Sequence, residues 1–393
     1  MPWDHRSIMD QKRLFVADYL TRSFTIVELC QRYGISRPTA YKWIHRFLNR
    51  GYVGLDELPR RPNQCPHRTP DELVEAMLEL RRRHPTWGPK KLLKILANRS
   101  PSAAWPSRST VADILKRHGL VEAKRRRTYP GHPGRPMTAM RQPNDVWCAD
   151  YKGEFKTRDG IYCYPLTVTD GRSRYLLECK ALPSTEHALA KPVFAGLFRR
   201  YGLPAIIRTD NGTPFASTAI GRLSRLSVWW IRLGISPELI EPGKPAQNGR
   251  HERMHRTLKR ETTRPPAASL RGQQLRFNHF REEFNNERPH EALDQETPAS
   301  VYKHSNREYP ERSPRVEYPE HFEKRLVSRN GGFRWASDRV PITQTLEGEY
   351  VGLEEVDDGR WDVYFGHVRL GQMDERTLTI TDALGNRVRR RVV

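Results

Sequence analysis

The chain has 393 residues, 37% of them hydrophobic with nine tryptophans, enough for roughly two to four domains with real cores, which excludes a disordered chain. Lys and Arg number 68 against 46 Asp and Glu, a formal net charge of +22 that points to a polyanionic partner and most simply to nucleic-acid phosphate. No apolar run suits a membrane helix, the start MPWDHRSIMDQKRLF lacks a signal-peptide pattern, and five scattered cysteines without a C-x-x-C pair argue against a disulfide scaffold, so a cytoplasmic protein is expected.

The charge is concentrated at the front, with 27 basic and 12 acidic residues in 1–140. Residues 1–62 read as short helices with apolar residues three and four apart. Ile26, Leu29 and Cys30 make one apolar face, Gly34 supplies a turn, and Ser36 caps a helix with Ala40, Trp43, Ile44 and Phe47 inside. Arg37, Thr39, Lys42, His45 and Arg46 are left outside, the layout of a helix-turn-helix with a DNA-reading helix. A helical hairpin with a charged outer face has the same pattern, and the basic excess favours DNA. Residues 63–120 repeat the theme after a Pro-rich break, with Arg108, Thr110, Lys116 and Arg117 as candidate contacts on the last helix. Residues 121–142 are basic, Pro- and Gly-containing and without periodicity, so they are expected to tether the modules along a phosphate backbone.

From 143 to 300 the pattern changes to α/β. DVWCADYKGEF, IYCYPLTVTD and RYLLECKAL predict strands, STEHALAKPVFAGLFRRYG a helix, AIIRTD a further strand, and helices follow. This order suits a mixed sheet covered on both faces. Residues 301–325 read as a polar linker, and 326–393, with 10 basic and 11 acidic residues, as a small antiparallel SH3-like barrel.

Three acids stand out in the central region. Asp150 lies inside an apolar strand, where an unpaired carboxylate costs several kcal/mol. Asp210 sits at the carboxyl end of AIIRTD, where α/β sheets bind ligands, and Glu252 opens a helix. Each alone has an ordinary explanation as a turn or helix-start residue. Converging, they would repel one another unless divalent cations joined them, and magnesium takes carboxylates while keeping phosphate oxygens as further ligands.

W-x-x-D at Trp147–Asp150, T-D-N-G at Thr209–Gly212 and P-x-x-N-G-x-x-E at Pro245–Glu252 resemble the DDE catalytic core of retroviral integrases and bacterial insertion-sequence transposases. ERMHRTLKRE and NNERPHEALDQETPASVY resemble the transposase branch, and the resemblance runs along essentially the whole chain. It implies an RNase H-like core with Asp150, Asp210 and Glu252 as catalytic metal ligands, and Asn211 and Gly212 shaping the loop. It also implies two Mg²⁺ ions, with Mn²⁺ able to substitute, double-stranded DNA as partner, a homodimer or higher oligomer, and a nucleoid-associated location. The implied reaction is cleavage at the 3′ ends of terminal inverted repeats and transfer of the freed ends into target DNA. The alternative is a transposase-derived regulator that binds DNA without chemistry. The 41 residues between Asp210 and Glu252 exceed the group's usual spacing, and the excess is expected in 216–236 around Trp229 and Trp230.

Arg256 and Lys259 follow Glu252 by four and seven residues on one helix face, which suits a phosphate backbone entering the site as well as a simple surface ion pair. Lys244 and Asn248 are weaker candidates for contacts with DNA ends. A competing motif overlaps: His251-Glu252-Arg253-Met254-His255 matches the H-E-x-x-H zinc-protease signature. That reading needs a third ligand and explains neither Asp150, Asp210 nor the helix-turn-helix units.

Overall fold

The computed structural model describes residues 7–58, 68–121 and 137–382, with 385 and 387. Most of the expected basic tether, 122–136, lies outside them. Two compact units result, 1–69 and 70–393.

The first unit is three helices, α1 (Ile8–Leu20), α2 (Ile26–Tyr33) and α3 (Arg37–Arg50), closed by a 3₁₀ turn at Gly51–Leu55. Ser7 and Thr25 form capping boxes on α1 and α2, and Gly34 ends α2 in the left-handed region. Phe15, Val16, Leu29, Ala40, Trp43, Ile44 and Leu55 are buried together. Ile26 and Phe47 pack only partly against them.

The second unit opens with α4 (Asp71–Arg83), α5 (Pro89–Arg99) and α6 (Arg108–Arg117) around a core of their own that includes Met77, Trp87, Leu92 and Ile114. This helical module is docked on the region that follows it. His84 stacks on Trp87 and meets Glu283 at 3.0 Å, Thr86 donates to Glu261 at 2.6 Å, and Lys90 and Lys94 pair with Glu291 and Glu296.

The central region is a mixed sheet of β1 (Val146–Tyr151), β2 (Phe155–Lys156), β3 (Tyr162–Asp170), β4 (Leu176–Leu182), β5 (Ile206–Thr209) and β6 (Ser236–Leu239). β3 pairs antiparallel with β4 on one side and β1 on the other, and β1, β5 and β6 run parallel. α7 (His187–Tyr201) and α8 (Arg225–Arg232) cover one face through Phe194, Phe198, Leu226 and Trp230. α9 (Gly249–Thr262) and α10 (Leu270–Asn286) cover the other through Met254, Leu258, Phe277 and Phe280.

The segment around Trp229 and Trp230 joins two cores. Leu226, Trp229 and Trp230 of α8 enter the central core, while Val228 and Ile231, with Ile220 and Leu223 before them, enter the core of the C-terminal strands.

Residues 302–322 are not the free linker their polarity suggests. Arg307 donates to the carbonyls of Pro204, Leu233 and Gly234 at 2.7, 3.0 and 2.8 Å, and Tyr302 stacks on Tyr175. The strap lies so close that a β-carbon on Gly202 would come within 2.8 Å of the carbonyl oxygens of Ser305 and Arg307. The polarity serves hydrogen bonds to the core as well as to water.

The tail holds β7 (Glu323–Leu326), β8 (Gly332–Trp335), β9 (Asp338–Pro341), β10 (Tyr350–Asp357), β11 (Arg360–Phe365), β12 (Val368–Asp374) and β13 (Thr379–Asp382). Five form an antiparallel sheet ordered β13-β12-β11-β10-β7, and β8-β9 is a separate ribbon sharing its core. Pairing among the described residues leaves this sheet open, so the closed barrel expected from strand spacing is not what the hydrogen bonds form.

Candidate active site

Alternation along β1 decides where Asp150 points. Trp147 and Ala149 enter the core under α7 and α8, so Cys148 and Asp150 turn to the α9 side. β5 pairs in parallel with β1 at Cys148 and Arg208. Asp210, two residues beyond Arg208, therefore ends its strand level with Asp150 and on the same face. Glu252 stands exposed in the first turn of α9. Burial, then Asp210 and, more weakly, Glu252, push the Asp150 carboxyl up to about 7.

The loop after β5 is fixed locally. Asp210 accepts the Gly212 N–H at 3.2 Å, and a β-carbon at 212 would lie 3.2 Å from the other carboxylate oxygen. The Asn211 amide donates to the Ile240 carbonyl at 2.7 Å and accepts from Arg222 at 2.8 Å, tying the ends of β5 and β6 together.

Asp150 faces Thr167 across the β1–β3 ladder, and Thr167 joins α9 to the strand. Its hydroxyl lies 3.0 Å from the Asp150 carbonyl, 2.7 Å from His251 Nε2 and 2.6 Å from His255 Nε2. The Thr169 hydroxyl lies 2.9 Å from His251 Nδ1. With the one Thr167 proton given to the carbonyl, both imidazoles donate from Nε2 and Thr169 donates to His251. Burial pushes His251 down to about 3, and burial beside His251 pushes His255 down as well, so both rings are neutral. The 3.6 Å approach of His255 Nδ1 to Asp150 is thus no ion pair. Asp150, His251 and His255 bring ligand-type atoms within 4.8 Å of one another, the one such group among the described residues. The third partner that the H-E-x-x-H pattern lacked in sequence is therefore Asp150. The Thr167 hydroxyl, however, already meets both Nε2 atoms.

The expected DNA contacts divide into three kinds. Arg37, Lys42, His45, Arg108, Lys116, Arg117, Arg256 and Lys259 are exposed. Lys42 and Arg46 lie 4.8 and 5.1 Å over the Trp43 ring, and Arg46 and Lys244 are half-buried. Thr39 and Thr110 are also half-buried and hydrogen-bond to the capping hydroxyls of Ser36 and Ser107, and Asn248 is only 5% exposed. These last three are engaged in or beneath their helices. Thr167 and Thr169 carried no signal in sequence, because threonine is common in any strand.

Integrase core domain models match residues 140–245 and 233–298, a helix-turn-helix domain matches 11–63, and a homeodomain-like domain matches 39–115. The Gag-Pol polyprotein of baboon endogenous virus (strain M7) is 32% identical over 132 residues, covering 34% of this chain and 7% of the polyprotein. The insertion element IS476 uncharacterized 39.2 kDa protein of Xanthomonas euvesicatoria is 27% identical over 252 residues, 63% of this chain and 69% of that protein. Among solved structures, the HTLV-2 integrase catalytic core domain in complex with magnesium is 16% identical with a TM-score of 0.34, covering 42% of this chain and all of that one. The chain thus spans a small part of its viral relatives and most of its insertion-element relative. The chain carries integrase core and helix-turn-helix domains and is similar to proteins of bacterial insertion elements and to retroviral polyproteins.

Proposed function

We propose that the chain is a DNA transposase that binds the terminal inverted repeats of its element, cleaves at the 3′ ends and joins them to target DNA, with Asp150, Asp210 and Glu252 as catalytic acids. The observation that supports this reading is that Asp150 and Asp210 stand at level ends of adjacent parallel strands, with Asp210 and, more weakly, Glu252 of the first turn of α9 acting on the Asp150 carboxyl. An all-oxygen donor set that pushes its own proton affinity upward suits divalent magnesium or manganese. A pair of such ions, when bound, would activate the attacking oxygen and stabilise the leaving one.

The chain's own residues hold and orient. Asn211 and Gly212 fix the loop that carries Asp210, and the Thr167–histidine network holds α9, and so Glu252, against β3. Arg256 and Lys259 share the Glu252 face of α9 and would hold the phosphate backbone of the strand being cut. Water displaces one phosphodiester oxygen to free a 3′-hydroxyl, and that hydroxyl then displaces another in the target. Exposed Arg37, Lys42, Arg108, Lys116 and Arg117 would contact the element ends. Two ends joined in concert call for a dimer or larger assembly.

The test is cleavage and joining of labelled duplex carrying the repeats that flank the gene, in Mg²⁺ and in EDTA, with wild type and Asp210→Asn. Metal-dependent 3′ cleavage lost in the variant is the expected result. End binding without cleavage in Mg²⁺ or Mn²⁺ would favour the regulator instead.

A further inference from the structure

A cavity of about 360 Å³ lies along α9, and its lining reaches from Arg250 round to Arg256 on the Glu252 face. Lys91 of α5, Arg174 after β3, Arg250 and Arg253 of α9, and Arg288 after α10 line it. Arg250 stands roughly 160° around the helix from Glu252 at 100° per residue. The cavity opens at the seam between the helical module and the central region, and none of the three acids lines it.

Its positive charge is poorly matched by the protein. The nearby carboxylates are already engaged. Glu261 pairs with Arg288 at 3.2 Å, Glu291 pairs with Lys90, and Asp170 accepts from the Asn144 and Ser173 backbone and the Ser173 hydroxyl. Among the described residues Lys91, Arg174, Arg250 and Arg253 have no carboxylate within ion-pair distance. Arg250 donates, among the described residues, only to the Gly171 carbonyl and the Met140 sulfur, and Arg253 to the Gly249 carbonyl. His290 adds a buried Nε2 with no hydrogen-bond partner among the described residues. Burial and the neighbouring Arg288 pull Lys91 down to about 7, and burial with Arg250 and Arg253 pulls Arg174 down to about 10. Such a cluster is at odds with itself until an anion enters, and guanidinium groups converging on one space match phosphate oxygens in geometry as well as charge.

We propose that this cavity is an anion site that takes a phosphate group, and that in the working protein the group is a backbone phosphate of bound DNA. The first half stands on the cavity alone, and the second rests on the function proposed above. Because Lys91 comes from α5 and Arg250 and Arg253 from α9, a phosphate there would bind the module and the central region to each other. DNA binding and docking of the module would then be coupled.

The test uses the full chain and the variants Lys91→Met and Arg253→Gln. Inorganic phosphate and pyrophosphate are titrated against chloride at matched ionic strength, reading thermal unfolding and calorimetric binding. Wild type should be stabilised by phosphate, and each variant should bind it about tenfold more weakly, as expected for one lost charge-assisted contact. Lys91→Met should also melt above wild type without phosphate, since it removes one of the crowded cations. With a non-specific duplex, the slope of log affinity against log salt should fall by about 0.9 in each variant for one lost phosphate contact. Phosphate binding that is weakened in the variants while the duplex slope is unchanged would keep the anion site and overturn DNA as its source. Wild type indifferent to phosphate and pyrophosphate, with equal slopes in all three proteins, would overturn the site. If Lys91→Met does not fold, wild type and Arg253→Gln decide. A protein that binds no duplex but is stabilised by phosphate would sink the transposase reading and leave the cavity standing.

Discussion

Asp150 and Asp210 leave neighbouring parallel strands at one level, each two residues beyond the paired Cys148 and Arg208. The sheet brings the carboxylates together whether or not a cation is present to join them, and the repulsion is borne by the fold. Evolved sites often hold such destabilising arrangements because the chemistry needs them.

That repulsion has a sign that can be measured. Folding raises the Asp150 carboxyl from 3.8 to about 7, so between those values the folded chain holds a proton that the unfolded chain releases. Stability in EDTA therefore falls as pH rises from about 4 to about 7 and stays low above. Asp150→Asn escapes this loss. It should match wild type in urea unfolding near pH 4 and exceed it at pH 8 by on the order of a few kcal/mol, with Mg²⁺ narrowing the gap. Equal stability of the two proteins at pH 8 in EDTA would remove the repulsion.

Thr167 offers a separate handle on Glu252. Thr167→Val keeps the shape but leaves two buried imidazole N–H groups without their acceptor and removes the hydroxyl donated to the Asp150 carbonyl. The expected loss is about 3 kcal/mol of stability, with strand cleavage reduced beyond what the unfolded fraction explains. Thr167→Ser restores the hydroxyl and should recover most of both. Full cleavage by folded Thr167→Val would show that α9 is placed without this network.

The helical order of the first 120 residues, the order of the central strands and the places of the three acids were all legible in the sequence. The reason is that period and strand-end position are local properties. Asp150 within an apolar strand and Asp210 before Asn-Gly need no tertiary knowledge to stand out. What was hidden depends on distant partners. Nothing local says that Thr167 faces two histidines 84 and 88 residues later. Nor does it say that Arg250 and Arg253, ordinary cations on a helix, share a cavity with Lys91. The strap at 302–322 misled for a related reason, because polar residues that hydrogen-bond to exposed carbonyls look the same in sequence as polar residues in water.

Arg307 tests that strap. Its guanidinium reaches three backbone carbonyls, two of them just beyond α8. Arg307→Met keeps much of the stem but none of the donors and should cost about 2–3 kcal/mol in chemical unfolding of the full chain. Gly202→Ala attacks the same contact from the other side, since the backbone there has φ +78° and no room for a β-carbon. A comparable loss in both variants is expected. A change within 0.5 kcal/mol in either would make the strap a surface feature.

Lys12 and Lys42 both approach the Trp43 ring, at 3.6 and 4.8 Å, and the pair separates folding from DNA binding in the first unit. Lys12 is 9% exposed and gives its protons to the Leu55 carbonyl and Glu57, closing the 3₁₀ turn onto α1. Lys12→Met should therefore lower stability by about 1–3 kcal/mol and leave the salt dependence of DNA binding unchanged in the folded fraction. Lys42 is exposed, with an ammonium free to meet phosphate. Lys42→Ala should leave the melting curve within about 0.5 kcal/mol of wild type while reducing the salt slope by about 0.9 on repeat and non-repeat duplexes alike. If Lys12→Met flattens the slope and Lys42→Ala does not, α3 does not present this face to DNA.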